Sequence, residues 1–322
     1  MSPTTTQPPR PAPRASRSLG TVRSPWLAQH LAAVRALVVL TLVTGIAYPL
    51  AVMAVGRVPG VSDRADGSLV TNAAGATVGS ALLGQSFTDS DGAALPQYLQ
   101  SRPSAARDGY DPLASGASNL APEDVVDTPP DAATGDERRL SLLGQVCARS
   151  AAVGALEGVD GRRPYCTTAT GDDPATVVGA VLAVFREGGA AGPVTRVVST
   201  NQLCPTTPFV AAYAGVEVDC RTPADDLTGA EVTPVRGDAP AEPVVPADAV
   251  TASASGLDPH ISPEYARLQV PRIARARGLS EQAVLTAIDR HTDAPLLGFL
   301  GRPAVDVLGV NLDLDRGSPA GS

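Results

Sequence analysis

The segment from Val250 to Ala274, VTASASGLDPHISPEYARLQVPRIA, gathers Ser253, Ser255, Asp258, His260 and Ser262. Serine, histidine and aspartate are the residue types of a hydrolytic triad, and His with Asp can also hold a metal ion. Asp258 and His260 flank Pro259, and an extended Asp-Pro-His segment points both side chains the same way, so a bond between them is feasible. Ser262, however, stands immediately before Pro263 and Glu264, the pattern of a helix start that uses the serine hydroxyl as its cap. No Gly-x-Ser-x-Gly elbow frames Ser253 or Ser255, which removes the strained turn that one hydrolase class requires. These residues therefore read as a docking surface and helix start, with a hydrolase or metal-binding domain using Asp258 and His260 as the alternative.

The elements that must position them begin with a membrane anchor. From Ala36 to Gly56 the chain carries no charge, and at about 1.5 Å per residue this stretch reaches roughly 31 Å, the thickness of a bilayer's hydrocarbon core. A transmembrane helix is expected over 31–56, disturbed near Tyr48 by Pro49. A cleaved signal peptide would have a shorter apolar region. Arg10, Arg14, Arg17, Arg23 and Arg35 precede the span and only Arg57 and Arg64 closely follow it, so the positive-inside rule expects a cytoplasmic N-terminus and an extracytoplasmic main domain. Residues 1–30, rich in Pro, Ser and Arg, read as a disordered tail, as do residues 317–322. Thr41, Thr44, Gly45, Ala47 and Ala51 suit close docking of the span to a partner helix.

Cys147, Cys166, Cys204 and Cys220 all follow the span, on the side where disulfides persist. Neighbour pairing, Cys147 with Cys166 and Cys204 with Cys220, closes the shortest loops. Zinc is the rival reading, without CxxC spacing or a nearby His to support it. The net charge of −8 argues against a nucleic-acid partner, because phosphate binding depends on clustered cations. The chain has no Lys, which excludes a Walker phosphate loop and Schiff-base chemistry.

The main domain reads as an α/β fold of the α+β type in two parts, 57–122 and 247–316, separated by a linker and cysteine-containing insertion over 123–246. GSLVTNAAGATVGSALLGQSF predicts short strands and tight turns. A long loop follows, ordered by Arg102, Arg107, Asp108 and Asp111. ERRLSLLGQVCARSAAVGALEG predicts a helix, and Thr176–Phe185, Val194–Thr200 and Phe209–Cys220 predict strands. SPEYARLQVPRIARARG reads as a helix with a break near Pro271 and a stop at Gly278, and Ser280 caps the next. AVDVLGVNLDLD alternates at Val305 and Val307 and then slips phase, which predicts a terminal strand with a bulge at Leu308 or Gly309.

The single N-terminal span, GSALLGQSF, RPSA, YDPLASGASNL, the long VTASASGLDPHISPEYARLQVPRIARARGLSEQAVLTAI and the tail PLLGFLGRPAVDVLGVNLDLD resemble the C subunit of the Kdp potassium-transporting P-type ATPase. The resemblance covers 30–122 and about 246–315; the cysteine-bearing strands depart from it. It implies an accessory subunit of an ATP-driven, high-affinity potassium uptake complex. Such a subunit stabilises the complex and raises the ATP affinity of the hydrolysing subunit as a catalytic chaperone. The implied partners are a channel-like A subunit, a P-type ATPase B subunit and a small F subunit. The chain would bind no cofactor by itself and meet ATP only through the complex, with no autonomous catalysis. The candidate partner-facing residues are Gln85, Arg102, Ser115, Ser118, Asn119, Ser255, Asp258, His260, Gln269 and Arg272.

Overall fold

The computed structural model describes residues 25–107, 109–115, 124–131, 134–167 and 176–317. Asp108, Ser118 and Asn119, and the tail segments 1–24 and 318–322, lie outside the described residues. The chain divides into two compact units at Asp66/Gly67.

The first unit is dominated by one long apolar helix, α1 (Pro25–Leu42) continuing into α2 (Tyr48–Gly56) through a π-helical turn at Val43–Ala47. A short α3 (Ser62–Ala65) follows. The 31 residues from Trp26 to Gly56 extend roughly 46 Å at 1.5 Å per residue, and the described side chains up to Val55 are exposed on every face. An apolar helix with no buried stripe has no protein core to face, and this one is long and apolar enough to cross a membrane. The π turn answers the problem posed by Pro49. Proline lacks an N–H, and its ring crowds the carbonyl four residues back, here Gly45. The turn containing that carbonyl is widened: Tyr48 N–H reaches back five residues to Val43 O, and Thr44 Oγ1 donates to Leu40 O at 2.7 Å. The irregularity thus lies in the turn before the proline rather than at Tyr48. Pro25 starts the helix, so residues 25–30 are helical and not part of a disordered tail. Pro is well suited to a first helical turn, where its missing donor costs nothing.

The second unit mixes helices and sheets. Strands β1 (Leu69–Thr71) and β2 (Thr77–Ser80) form an antiparallel hairpin whose turn is held by Asn72 Oδ1, which accepts from the backbone of Ala74 and Ala76 at 3.0 Å each. Helix α4 (Leu142–Glu157), capped by Ser141 and stopped by Gly158 at positive φ, precedes a five-stranded sheet. Its strands are β3 (Val181–Arg186), β4 (Val194–Leu203), β5 (Ala212–Tyr213), β6 (Val216–Arg221) and β7 (Glu231–Pro234), ordered β5-β6-β4-β3-β7. Only the β4–β6 pairing is parallel among these. The run Phe209–Cys220 is therefore not one strand. Ala214 and Gly215 both have positive φ (50° and 83°) and form the two-residue turn of a β5–β6 hairpin, the backbone pattern that matches strand twist. Strand β7 was not anticipated.

The C-terminal part carries α5 (Pro263–Leu268), α6 (Val270–Arg277) and α7 (Glu281–Arg290), with short strands β8 (His260–Ile261), β9 (Thr292–Asp293) and β10 (Ala304–Asp306) ordered β8-β10-β9. Ser262 and Ser280 cap α5 and α7 by accepting from Tyr265 N and Ala283 N, and Gly278 at φ 65° ends α6. The expected bulged terminal strand is corrected. The chain is β-strand only to Asp306 and then turns into α8 (Val307–Gly317). The phase slip marks a change of element: Val307, Val310, Asn311 and Leu314 are buried at helical spacing, and Asp306 Oδ1 accepts from Gly309 N at 3.1 Å at the helix start.

One apolar core joins Leu99, Val245 and Val250 to the inward faces of α5–α8 and to Ile261 and Val305. A smaller core, around Leu182, Val184, Val197 and Val218, lies on the five-stranded sheet. The structure bonds Cys147 to Cys166 and Cys204 to Cys220, with Cα separations of 5.5 and 5.2 Å. The first disulfide ties α4 to the approach to β3, and the second ties the end of β4 to β6.

Candidate functional site

The residues around Asp258 meet the loop that follows β2. Arg102 Nη1 donates to Asp258 Oδ2 at 3.0 Å, while Arg102 Nη2 and Nε donate to Thr251 O at 3.1 and 3.3 Å. Asp258 Oδ1 accepts from the backbone N of His260 at 3.0 Å and lies 3.4 Å from His260 Nδ1. Around this pair, Ser104 Oγ donates to Gly256 O at 2.6 Å, Ser115 Oγ to Ser255 O at 3.0 Å, and Gly84 N to Leu257 O at 2.8 Å. Gly84 is required by closeness: a Cβ there would collide with the Tyr110 ring and sit 2.6 Å from Asp258 O. The Arg102–Asp258 pair is partly solvated, so its own contribution to stability is about 0–1 kcal/mol. What it does is fix the 251–260 segment against the 101–115 loop.

The electrostatics agree with a clamped pair. The Asp258 carboxylate holds the His260 imidazole above its ordinary value, with burial opposing and Asp306 and Asp293 assisting. Burial pushes the Asp258 carboxyl up, but hydrogen bonds from His260 and the Arg102 charge outweigh it and hold it below the usual range. A raised histidine stabilises fully below about pH 6.5 and loses that contribution as pH rises through the folded value. A depressed aspartate stabilises fully above about pH 3.9 and loses it as pH falls. The clamp is thus complete between roughly pH 4 and 6.5. In the detergent-solubilised full chain with labelled histidine, the His260 resonance should titrate above ~6.5 and move down on Asp258→Asn; a midpoint indifferent to that substitution contradicts the clamp.

The serines do not complete a triad. Ser262 Oγ is used twice, accepting from Tyr265 N at 3.0 Å and donating to Asp248 Oδ1 at 2.9 Å. Ser253 and Ser255 hydroxyls lie 3.3 Å from each other, and Ser255 Oγ accepts from Leu257 N. Among the described residues, no hydrogen bond joins His260's ring to a serine hydroxyl. The arrangement has the geometry of a loop clasp rather than an activated nucleophile.

Beneath the clasp lies a buried polar seam. Gln269, fully buried, accepts at Oε1 from Gln100 N at 2.7 Å and donates from Nε2 to Gln100 O at 3.1 Å. Asn311 does the same for Leu99, with bonds of 2.8 and 3.0 Å. Two side-chain amides thus act as a strand partner for Leu99 and Gln100, satisfying backbone groups that burial would otherwise leave bare. Arg272, only 5% exposed, donates from Nε to both Glu157 oxygens at 3.0 and 3.1 Å, from Nη1 to Pro96 O and Tyr98 O, and from Nη2 to Gln269 Oε1. Gln269 and Arg272 are therefore corrected from partner-facing to interior residues, since their polar atoms are consumed inside the domain.

Gln85 is half-buried; its carbonyl accepts from Ser101 Oγ, and its side chain lies over Gly79. The structure brings Arg102, Ser115, Ser255, Asp258 and His260 together, with Gln85 linked through Ser101. Gln100, Asn311, Glu157 and Asp248 went unnoticed in the sequence. Asn311 alone offered a signal, as an amide within the apolar run GVNLDL.

These contacts knit the residues before the insertion to those after it, and the comparisons divide the chain the same way. The sequence profile of the K+-transporting ATPase c chain family, KdpC, matches residues 30–127 and 225–316, more than half of the chain. The chain belongs to the KdpC family. A Kineococcus radiotolerans protein named potassium-transporting ATPase KdpC subunit is 37% identical over 283 residues, covering 88% of this chain and 91% of that protein. Proteins of the same name from Mycobacterium tuberculosis H37Rv and Caulobacter vibrioides are 33% and 32% identical, covering 89% and 87% of this chain and 98% and 88% of theirs. The KdpC profile leaves 128–224 unmatched, the stretch that holds α4, strands β3 to β6 and both disulfides.

Proposed function

We propose that the chain is the accessory subunit of an ATP-driven potassium uptake complex, where it stabilises the assembly and raises the ATP affinity of the hydrolysing subunit. The observation that carries this is the KdpC match to the apolar helix and to both halves of the clasped domain. The clasp itself supports a scaffolding role rather than chemistry, because its polar atoms are spent on holding loops together. The partners on this reading are a channel-like A subunit, a P-type ATPase B subunit and a small F subunit. The chain carries no cofactor of its own, and ATP enters only through the complex.

The N-terminal arginines and the disulfides support an arrangement with the folded domain outside the cytoplasm and a single membrane pass. ATP is cytoplasmic, so on this topology the domain acts without touching it. The route left is the apolar helix and the assembly, which bias the pump toward conformations that bind ATP more tightly. In the purified complex, removing this chain should raise the KM for ATP several-fold with a smaller change in kcat. An unchanged KM in a complex that retains its other subunits contradicts the proposal.

A further inference from the structure

The π turn of the apolar helix leaves one backbone acceptor without a helical partner. A carbonyl inside an α-helix accepts from the N–H four residues on, and inside a π turn from the N–H five residues on. For Thr44 the first of these is Tyr48 N–H, which is directed to Val43 O instead. The second would come from Pro49, and proline has no N–H. Thr44 O therefore has neither donor, and Gly45 O loses its four-residue donor to the same proline. The hydroxyl of Thr44 is spent on Leu40 O at 2.7 Å. Among the described residues, no side chain donates to Thr44 O.

The position of this acceptor decides what it requires. Ile46 is the midpoint of the uncharged run Ala36–Gly56, and Thr44 lies beside it. On the proposed single membrane pass, on which this inference rests, the carbonyl stands at the depth where neither water nor hydrocarbon supplies a donor. A backbone group freed by proline in a spanning helix is satisfied by a local π adjustment, a Ser or Thr hydroxyl, an ordered water or a neighbouring helix. Here the π turn is itself what takes Tyr48 N–H away, and the nearest hydroxyl is already in use. Ala47 and Ala51, three and seven residues on, share the face of Thr44 and are small enough for another helix to come close to the carbonyl. Tyr48, 67% exposed, adds a phenolic hydroxyl to that face, far from the interfacial zone where tyrosine is usually found. The face thus carries polar groups that a partner helix can match and lipid cannot.

We propose that Thr44 O accepts a hydrogen bond from a side-chain O–H or N–H on a transmembrane helix of another subunit, so that Pro49 creates the docking point of this chain within the membrane. Removing the proline then has opposite effects on the lone helix and on the complex. Pro49→Ala restores an N–H and lets Tyr48 N return to Thr44 O, which makes the helix more regular and takes the acceptor from the partner. In the detergent-solubilised complex, Pro49→Ala should lower co-purification of this chain with the ATP-hydrolysing subunit by about threefold or more, the scale of one lost interhelical hydrogen bond. Its helical content and both disulfides should stay intact. Thr44→Val, which removes only the hydroxyl bonded to Leu40 O, should co-purify like the parent chain. Undiminished co-purification of Pro49→Ala, or a loss confined to Thr44→Val, overturns the proposal; a parent chain that fails to co-purify at all removes instead the subunit role on which it rests. The bond itself is read by solid-state NMR on full chain isotope-labelled at the threonine carbonyl and the glycine nitrogen. Thr–Gly occurs at four places in the chain, and Gly45→Ala identifies the signal of Thr44. That carbonyl resonance should move downfield between the chain alone in vesicles of phosphatidylethanolamine and phosphatidylglycerol and the assembled complex. An unmoved resonance contradicts the proposal, and so does the same movement in the chain alone at high protein density, where only a second copy can supply the donor.

Discussion

Arg272→Met should cost about 3–5 kcal/mol of folding stability, the range for breaking a buried ion pair on one side. Against a typical domain stability of roughly 5–15 kcal/mol, that is a third or more. Its guanidinium closes the seam at four places: the Glu157 carboxylate on α4, the carbonyls of Pro96 and Tyr98, and the amide oxygen of Gln269. Methionine fills similar volume but strands all four. The worst of these is Glu157, whose carboxyl is already pushed up by burial and pulled back by Arg272. Without that pull it should take up a proton in the folded state. A carboxyl raised above its unfolded value of about 4.3 favours folding fully below that pH and opposes it increasingly as pH rises, so the defect should be smaller at pH 5 than at pH 8. The double variant Glu157→Met, Arg272→Met removes both charges and should recover much of the loss, since an apolar pair in place of a buried ion pair is often neutral or better. Denaturant midpoints of the detergent-solubilised chain measure all three. A single-variant loss below about 1 kcal/mol would place Glu157 in contact with water.

This ion pair also shows why the sequence revealed some features and concealed others. Ser262, Ser280 and Gly278 were legible because a helix cap depends on a few adjacent residues. The apolar helix was legible for the same reason, and so were the hairpin at Asn72 and the neighbour pairing of the cysteines, which the structure also adopts. Gln269 and Arg272 looked like surface residues because polar side chains on a short helix usually are. Their partners among residues 96–100 lie 169 to 176 residues away and the Glu157 partner of Arg272 lies 115 away, and nothing local to Gln269 announces that Gln100 needs a strand-like companion. Leu308 and Val310 spaced by two fitted a strand as well as a helix, and only Asp306 as a cap separates the readings. In Phe209–Cys220 the apolar flanks hid the turn at Ala214–Gly215. The residues that compose the clasp were thus visible one by one, while the seam that supports it was not.

This chain serves potassium uptake as a subunit of a K+-transporting ATPase, the function borne by the name of its relatives. The expected effect of losing it is large, because on the proposed role it holds the pump together and tunes its ATP affinity, and so acts on every turnover. The most direct measurement is potassium uptake at limiting external K+ in a strain deleted for this chain and lacking other high-affinity uptake systems. Uptake and growth should fail at low K+, be normal at high K+, and return when the full chain is supplied. Undiminished uptake at low K+ in the deletion strain, with no second copy of the gene present, would contradict it.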